Sequence, residues 1–509
     1  MKISIRQVKL KDRQPVMKSP EIKSILVVFF ATFVLPVASC KIGPDYSRPE
    51  TSLPPEWSES NSASGALEKR WWVRYNDPLL TEFIEKSLKN NLDLAASVER
   101  IEQAHALVDV ISAGLFPSIN VYGQDARYLR SRELPSGIST TPPQQRVDIP
   151  HSGGNYPGGA TVNNLRGLLG LSWDLDIWGR TRRAMEAGGA RAQAVELESE
   201  ILRLALTTEV ARIFFSIQAA DREIEILNRA LSLRTENLRM VSLRFESGVA
   251  NELEVSQAKA ELESTRVDAV GLKSRRAELV HALAEFTGEY PENFHVDSFH
   301  AIADAPSIPA GLPSDLIRRR PDILEAENFM IAANANVGLA KANFLPSFSL
   351  VGYAGNESER LRGLLRGDSA VWGASTGISF PLLDWGRNSA LLNASESAFR
   401  ESKIVYAKRI LGALHQVEDA LSQIAVLKEE SEAIQKALTA SRATFRLADL
   451  RYREGLSSYL EVLDAERSLL SNERDDLKNR SDRLTASLAM IRALGGGWEE
   501  ETMPPSNSN

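Results

Sequence analysis

The chain carries part of its own sequence twice, and this internal repeat limits the possible folds more than any other feature. The string SWDLDIWGR at residues 172–180 returns as SFPLLDWGR at 379–387, and LRFESGV at 243–249 returns as LRYREGL at 450–456. Both pairs share one offset without a gap (387 − 180 = 207). Two separate blocks at one offset indicate a single structural unit that occurs twice.

A third matching pair shows where the two copies differ in length. Residues 104–118 match residues 333–347 at a larger offset (347 − 118 = 229), so the first copy has 22 additional residues (229 − 207 = 22). They fall between Pro135 and Gly159, where proline and glycine are frequent, a composition typical of loops. Each copy is therefore predicted to run helix, strand, loop, strand, long helix, glycine turn, helix.

Each copy also contains a very long helical pattern. Proline is absent from residues 158–290 and 382–503. Apolar residues recur there in alternating steps of four and three, and the pattern is interrupted at Arg234 in the first copy and at Ser431 and Ser441 in the second. A period of about 3.5 residues is typical of a coiled-coil seam. A continuous helix from Arg180 to Ser247 would be roughly 100 Å long, at about 1.5 Å per residue.

The segments before the long helices have the pattern of strands. Residues 347–354 and 371–380 alternate larger, more apolar side chains with smaller or more polar ones. Segments of about ten residues with this alternation are typical of transmembrane barrels, although a soluble sandwich would show it too. Four strands cannot close a barrel, which needs about eight. An open sheet in lipid would leave edge N–H and C=O groups unsatisfied, so the sequence predicts a barrel shared between protomers.

Composition argues against several classes of function. The formal charge of −7 disfavours nucleic acid as a partner, because phosphate binding needs a basic surface. One cysteine excludes an intramolecular disulfide, and six histidines show no metal-ligand spacing, so neither a metal nor a cofactor is predicted.

Catalytic candidates are few. The G-x-S-x-G string at 373–377 places Ser375 inside an alternating strand, whereas a nucleophile elbow needs a sharp strand-to-helix turn. Asp174 and Asp176 have a counterpart, Asp384, near the matching corner of the second copy, and all three are interpreted as carboxylates at helix starts. No enzymatic activity is predicted.

The N-terminus reads as a secretory signal. An apolar run at residues 25–35 follows Lys18 and Lys23; it is too short to span a bilayer and suits a signal h-region. Val-Ala-Ser-Cys at 37–40 resembles a bacterial lipobox, which predicts lipidation at Cys40; an ordinary signal with an incidental cysteine is the alternative. If translation starts at Met17 instead of Met1, the signal peptide has a normal length. Elsewhere no apolar run reaches membrane-span length.

Several longer motifs resemble one known family. They are CKIGPDYSRP at 40–49, WW at 71–72 with NDPL at 76–79, GLPSDL at 311–316 with RRPDI at 319–323, and AANAN at 332–336. They resemble the lipoprotein, NodT-like branch of the TolC-like outer-membrane factors over nearly the whole mature chain. The resemblance implies an α+β membrane protein: a trimeric, twelve-stranded outer-membrane β-barrel with four strands per chain, continued by a long periplasmic α-helical coiled-coil barrel.

The resemblance also implies a function. Members of the family are exit ducts of tripartite efflux pumps and conduct small toxic compounds passively. The implied partners are two further copies of the chain, a periplasmic adaptor (membrane fusion) protein, an inner-membrane transporter of the resistance-nodulation-division (RND) type and outer-membrane lipid. The alternatives are an outer-membrane component of protein secretion, a lipid-anchored coiled-coil scaffold and a lipid-anchored periplasmic hydrolase.

Repeat and resemblance together predict the organisation of the chain. Six segments are expected: a lipoprotein signal peptide at 1–39, a lipidated segment and part of an equatorial belt at 40–80, the first repeat at 81–287, a linker with a belt part at 288–320, the second repeat at 321–496 and a disordered tail at 497–509. Residues 125–165 and 356–369 are expected to be the external loops.

Two kinds of turn are predicted to shape each repeat. Strand gives way to long helix at Trp178, Gly179 and Arg180, and again at Trp385, Gly386 and Arg387, where glycine permits the turn and Trp and Arg suit the membrane edge. Plain packing is the alternative role for these corners. The turns at Gly248 and Gly455 are expected to form the periplasmic tips of the helices.

A gate is predicted beyond the second tip. Leu460, Asp464 and Arg467 are spaced i, i+4 and i+7, which places them on one stripe of a helix. The matching positions in the first repeat carry no charge: Leu253, Gln257 and Ala260. LEVLDA at 460–465 resembles the family segment that constricts the closed pore. The alternative is a solvated Asp–Arg pair that contributes about half a kcal/mol.

Overall fold

The computed structural model describes residues 41–51, 53–58, 67–129 and 161–497. The predicted signal peptide, Cys40, most of the predicted loop 125–165 and all of the tail except Gly497 lie outside the described residues.

The described residues form a four-stranded sheet and eight α-helices, joined by short 3₁₀ turns. The strands are β1 Ser118–Leu129, β2 Thr161–Leu175, β3 Ser347–Ser358 and β4 Ala370–Ser379. The helices are α1 Pro78–Asn90, α2 Leu92–Ser112, α3 Arg180–Glu246, α4 Glu252–Thr287, α5 Leu316–Arg319, α6 Pro321–Ala342, α7 Arg387–Arg453 and α8 Tyr459–Ala493.

The element order repeats as the sequence predicts. Helices α3 and α7 each contain 67 residues, and both their first and their last residues differ by the offset of the repeat (387 − 180 = 207 and 453 − 246 = 207). The returning helices α4 and α8 contain 36 and 35 residues. Each repeat therefore consists of a helix-led strand hairpin followed by a long helical hairpin.

One prediction needs correction at the start of the first repeat. The single helix expected before the first strand is two helices, α1 and α2, separated at Asn91. The Asn91 backbone is extended (φ −65°, ψ 129°), and its side-chain oxygen accepts hydrogen bonds from the N–H groups of Asp93 (3.0 Å) and Leu94 (3.1 Å). Asparagine caps a new helix start in this way, so the chain changes direction there.

The sheet is an antiparallel meander in the order β1-β2-β3-β4. Ser118 lies opposite Ser172 in the first pair of strands, and Ser347 lies opposite Ser379 in the last pair. One face of the sheet carries large exposed apolar side chains: Ile119, Val121, Trp372 and Ile378. On β2, Asn164, Arg166 and Leu168 alternate on a buried face, so this strand has polar groups on one side, as a barrel strand with a polar lumen requires.

The helical unit has its main core where the first 3₁₀ turn and α1 pack on the middle of α3. Trp71 and Tyr75 of the turn are buried, and the Tyr75 ring lies 5.0 Å from the Phe215 ring. Asp77 starts α1 by accepting hydrogen bonds from the N–H groups of Leu79 and Leu80, with Pro78 in the first helical position. The WW and NDPL motifs therefore build and cap a structural element.

The predicted seam of the long helices is buried over most of its length. In α3, Val210, Ile213 and Ile217 are at most 2% exposed, and in α7 so are Ala413 and Val417. The seam is less covered towards its end, where Phe245 is 45% exposed. Among the helices of the described residues, none is both long enough and apolar enough to cross a membrane.

Candidate functional site

The first strand-to-helix corner is organised around Asp176. Its carboxylate accepts hydrogen bonds from the N–H groups of Thr181 (2.9 Å) and Arg182 (3.1 Å), and Arg182 Nε also lies 3.1 Å from it. Gly179 has φ 73°, a left-handed conformation that favours glycine. Trp178 Nε1 donates to the Pro346 carbonyl at 2.7 Å, so this indole ties the corner to the start of the adjacent strand.

The second corner uses the same chemistry with a different tryptophan. The Asp384 carboxylate accepts hydrogen bonds from the N–H groups of Gly386 and Asn388, each at 3.0 Å. Gly386 has φ 85° and Trp385 has φ 54°. The Trp385 side chain is 89% exposed, unlike that of Trp178. Both Arg180 and Arg387 are exposed, so the corners present cations at their surface.

The two helix turns have one shared geometry. Gly248 has φ 74° and Gly455 has φ 75°, and each turn closes with hydrogen bonds back to the last helical turn. Val249 N–H donates to Arg244 O and Leu456 N–H donates to Arg451 O, both at 2.8 Å. This is the pattern of a glycine C-cap, which satisfies the final carbonyls of a helix.

The two turns also pack on each other. The Arg244 guanidinium lies 4.3 Å from the centre of the Tyr452 ring and donates to the Tyr452 carbonyl at 3.0 Å. Tyr452 and Tyr459 are buried with Val241, Ala258, Val462 and Leu463 in a separate apolar cluster. The turns of the two repeats therefore form one structural unit.

The predicted gate residues lie on the exposed side of α8. Leu460 is 50% exposed, and the side chains of Asp464 and Arg467 are 66% and 53% exposed. Arg467 Nη1 lies 4.0 Å from the Asp464 carboxylate, and its other Nη nitrogen forms an ion pair with Glu261 of α4. The contact with Glu261 raises the pKa of Arg467, so this side chain is a fixed cation.

Next to this stripe lies a group that the sequence pattern did not identify as functional. Arg234 of α3 donates to Glu466 of α8 at 2.8 Å and lies 3.1 Å from the Glu261 carboxylate. Glu466, Arg234, Glu261 and Arg467 thus alternate in charge across three helices, and we refer to them as the charge chain. The side chains of Arg234 and Glu466 are 5% and 4% exposed.

Other polar groups form hydrogen bonds with the buried members of the charge chain. Arg234 Nη1 donates to the Glu261 backbone carbonyl at 3.0 Å and to the Thr265 hydroxyl, and Asn237 donates to Glu466 at 3.1 Å. Burial raises the pKa of Glu466, while the hydrogen bond and charge of Arg234 counteract this shift. The same burial, with the Glu466 charge, raises the pKa of Tyr459 to about 12. The sequence feature that could have identified the charge chain is the interruption of the heptad pattern at Arg234.

A second arrangement that sequence analysis left undescribed lies in residues 43–48, which we call the N-terminal strap. Arg183, whose side chain is 1% exposed, donates to the Gly43 carbonyl and to the Asp45 carboxylate, both at 3.0 Å. Glu327 of α6 accepts from Tyr46 at 3.0 Å and from Arg48 at 2.6 and 2.7 Å. The GPDYSR motif therefore fixes the segment after Cys40 to helices α3 and α6.

Ser375 lies within β4, opposite Val351 of β3. It is therefore in regular strand backbone and not at a nucleophile elbow. Within the described residues no group of three or more His, Cys, Asp or Glu side chains could hold a metal ion.

Comparison with known proteins identifies the family. The family described as "Outer membrane efflux protein" matches residues 83–289 and 312–496, which correspond to the two repeats. The chain belongs to the outer membrane efflux protein family. The match leaves residues 290–311 between its two segments, inside the predicted linker.

Curated efflux proteins align over nearly the full length of the chain. The probable efflux pump outer membrane protein TtgC of Pseudomonas putida is 31% identical over 489 residues, which cover 94% of this chain and 97% of TtgC. The cation efflux system protein CusC of Escherichia coli K12 is 30% identical over 474 residues, 91% of this chain and 97% of CusC.

Solved channels share the fold. The outer-membrane channel OprN superposes with a TM-score of 0.80 at 28% identity, covering 90% of this chain and all of that one. The open state of the MtrE outer membrane channel of Neisseria gonorrhoeae gives a TM-score of 0.77 at 26% identity, covering 91% of this chain and all of that one.

These matches confirm four predictions: the TolC-like fold with two repeats, the efflux-channel function, the outer-membrane location with a periplasmic extension, and a transport protein without catalytic activity. The hydrolase and scaffold alternatives are therefore wrong.

Proposed function

We propose that this outer membrane efflux protein works as a homotrimer that forms the exit duct of a tripartite pump, docked on a periplasmic adaptor and an RND-type inner-membrane transporter. The observation that carries the trimer is the sheet. Within the described residues β1 and β4 each pair on one side only, so a lone sheet would expose unpaired backbone groups to lipid. Three copies supply twelve strands, enough to close a barrel. Two copies supply eight, and side chains fill the interior of a barrel of about eight strands, which leaves no duct.

The proposed cargo is a range of small toxic compounds. Related proteins are named for antibiotic, toluene, solvent and cation efflux. A passive duct need not select strongly, because the inner-membrane partner supplies both energy and choice of substrate. We propose that this chain conducts small toxic compounds passively from the periplasm to the exterior.

Deletion of the gene tests this function. Cells without the protein should become more sensitive to several compounds in a panel of antibiotics, organic solvents and copper or silver salts. Re-expression of the wild-type chain should restore growth. Unchanged sensitivity to the entire panel, with loss of a secreted protein from the medium, would instead favour the secretion alternative.

We propose that Cys40 carries a lipid that anchors the mature chain in the outer membrane. The lipobox pattern supports this, and the strap holds the following residues in place. Cells grown with a fatty-acid analogue should label the wild-type protein and not the Cys40→Ala variant. Label on the variant would contradict the proposal. The barrel still inserts in this variant, so we expect only partial loss of resistance.

We propose that Leu460, Asp464 and Arg467 form the gate and that the turns at Gly248 and Gly455 are the periplasmic tips. Their support is the exposed stripe on α8 beside the turn at Gly455. In a trimer this stripe would form stacked rings, with an apolar constriction at Leu460 and charges at the other two positions.

A further inference from the structure

The charge chain has a buried centre and a half-exposed outer end, an arrangement that stabilisation of the fold does not by itself require. Its central pair, Arg234 and Glu466, is almost fully buried, whereas its outer end, Arg467, is half exposed. Removing charges from water costs free energy that their attraction recovers only in part, so well-packed apolar residues often stabilise a fold equally well. The raised pKa of Glu466 shows this cost of burial.

A buried pair is, however, sensitive to displacement. If α8 moved away from α3, Arg234 would lose the Glu466 carboxylate, and an uncompensated buried charge is strongly destabilising. An apolar contact would lose free energy more gradually. The pair therefore holds α8 at one position against α3, and Glu261 extends the same constraint to α4 through Arg467.

Comparison of the two repeats shows that the matching helix pair has no equivalent of these ion pairs. The positions that match the charge chain in the other repeat cannot form it: Ser441 for Arg234, Lys259 for Glu466, Ser468 for Glu261 and Ala260 for Arg467. Ser441 is buried and donates to the Leu438 carbonyl of its own helix. The helix held by the charge chain is α8, which also carries the proposed gate residues Leu460, Asp464 and Arg467, here called the gate stripe.

We propose that Arg234 and Glu466 are positioning residues of the gate, which hold α8 against α3 and α4 in the closed channel. Loss of either charge allows α8 to shift and the channel to conduct. This inference rests on the proposed gate at Leu460, Asp464 and Arg467.

Three variants and one matched control test the proposal. Glu466→Gln keeps the shape of the side chain and removes its charge, and Arg234→Met removes the other partner. The double variant Arg234→Met with Glu466→Leu leaves no unpaired charge at the centre, so it should fold even if a single variant does not. The control is Arg474→Gln, because Arg474 also joins α8 to α3 and α4, through Glu223 (2.7 Å) and Asp268 (3.7 Å), but is 44% exposed.

The readout is ion conductance in planar bilayers, measured on trimers that are intact by gel filtration. We expect each single variant to conduct several-fold more than the wild type, the double variant to conduct no more than the larger single effect, and Arg474→Gln to match the wild type. Wild-type conductance in the double variant would overturn the proposal, since apolar packing would then be sufficient.

Variants of the gate itself separate the two proposals. If Leu460→Ser with Asp464→Ser raises conductance while Glu466→Gln and the double variant do not, the gate holds and the positioning role is wrong. If none of the variants changes conductance, the gate lies elsewhere and both proposals fail.

Discussion

Single residues distinguish the two repeats more than their elements do. Arg234 and Ser441 occupy equivalent positions on α3 and α7, and both are buried, yet one joins three helices and the other bonds only within its own helix. Asp464 and Arg467 likewise lack charged counterparts in the first repeat. The stripe after the second turn is therefore charged, whereas the matching stripe after the first turn is not.

The pH dependence of stability should report on Glu466. Because its pKa is raised, the folded chain binds this proton more tightly than the unfolded chain, so its contribution to stability increases as pH falls through the folded-state pKa. As pH is lowered from neutral towards the ordinary glutamate pKa of 4.5, the melting temperature of the wild type should therefore rise relative to that of Glu466→Gln.

Glu236→Gln on the exposed face of α3 is the control for this measurement. The hydrogen bond from Arg239 lowers the pKa of Glu236, so any stabilisation it gives is lost as pH falls, and the drift has the opposite sign. A constant difference in melting temperature between the wild type and Glu466→Gln over this pH range would contradict the raised pKa of Glu466.

The gate stripe gives a second prediction at the scale of residues. Leu460→Ser with Asp464→Ser should remove the proposed apolar constriction and one proposed ring of charge, so ion conductance should rise and large antibiotics should leak inward. The matched control is Leu253→Ser with Gln257→Ser in the first repeat, where Leu253 is 64% exposed. Equal conductance of the gate variant and the wild type, with the trimer intact, would place the gate elsewhere.

Sequence reasoning reached single residues only where local chemistry determines their role. Asp174, Asp176 and Asp384 are interpreted from the sequence as carboxylates at helix starts, and Asp176 and Asp384 each accept two backbone hydrogen bonds there. The interpretation of Asp174 is wrong, because this residue lies within β2, opposite Ser349 of β3. The strap partners Arg183 and Glu327 were not identified, because their partners lie 140 and 279 residues away in sequence. A single sequence carries no pattern for contacts at that distance.

At the scale of elements, the period of the apolar residues was sufficient to predict α3 and α7, since 67 residues of seam leave little ambiguity. The break at Asn91 was missed because asparagine is tolerated inside helices and caps them equally well. The 3₁₀ turn at Trp71–Tyr75 was also missed, because it depends on packing against α3 rather than on its own propensity.

The corner before α7 should depend on backbone conformation alone. Gly386 has φ 85° and a Cβ added there would meet no atom within 4 Å, so Gly386→Ala introduces conformational strain without a clash. The left-handed region costs an L-residue about 1–2 kcal/mol, so we expect a lower melting temperature and less assembled trimer.

Gly412→Ala is the matched control for the corner. Gly412 also has open space around its Cβ position, but it lies within α7, where alanine is favoured by about 1 kcal/mol. Its melting temperature should equal or exceed that of the wild type. If Gly386→Ala behaves like Gly412→Ala, the corner does not require glycine.

At the scale of the whole molecule, the trimer and its orientation can be tested together. We expect the detergent-solubilised protein to have the mass of three chains. A peptide tag inserted at Gly367, between β3 and β4, should be reached by antibody on intact cells, because we propose that this connection is external. A tag at Gly248 should be reached only after the outer membrane is permeabilised, and the reverse pattern would invert the topology.

The equal lengths of α3 and α7 also constrain how such a channel can evolve. Both helices contain 67 residues, and their turns meet where Arg244 contacts Tyr452. An insertion of one heptad in α3 alone would carry its turn about 10 Å past that of α7 and separate the two. The duct can therefore become longer or shorter in evolution only if both repeats gain or lose the same number of residues. We expect the lengths of α3 and α7 to change together among related channels.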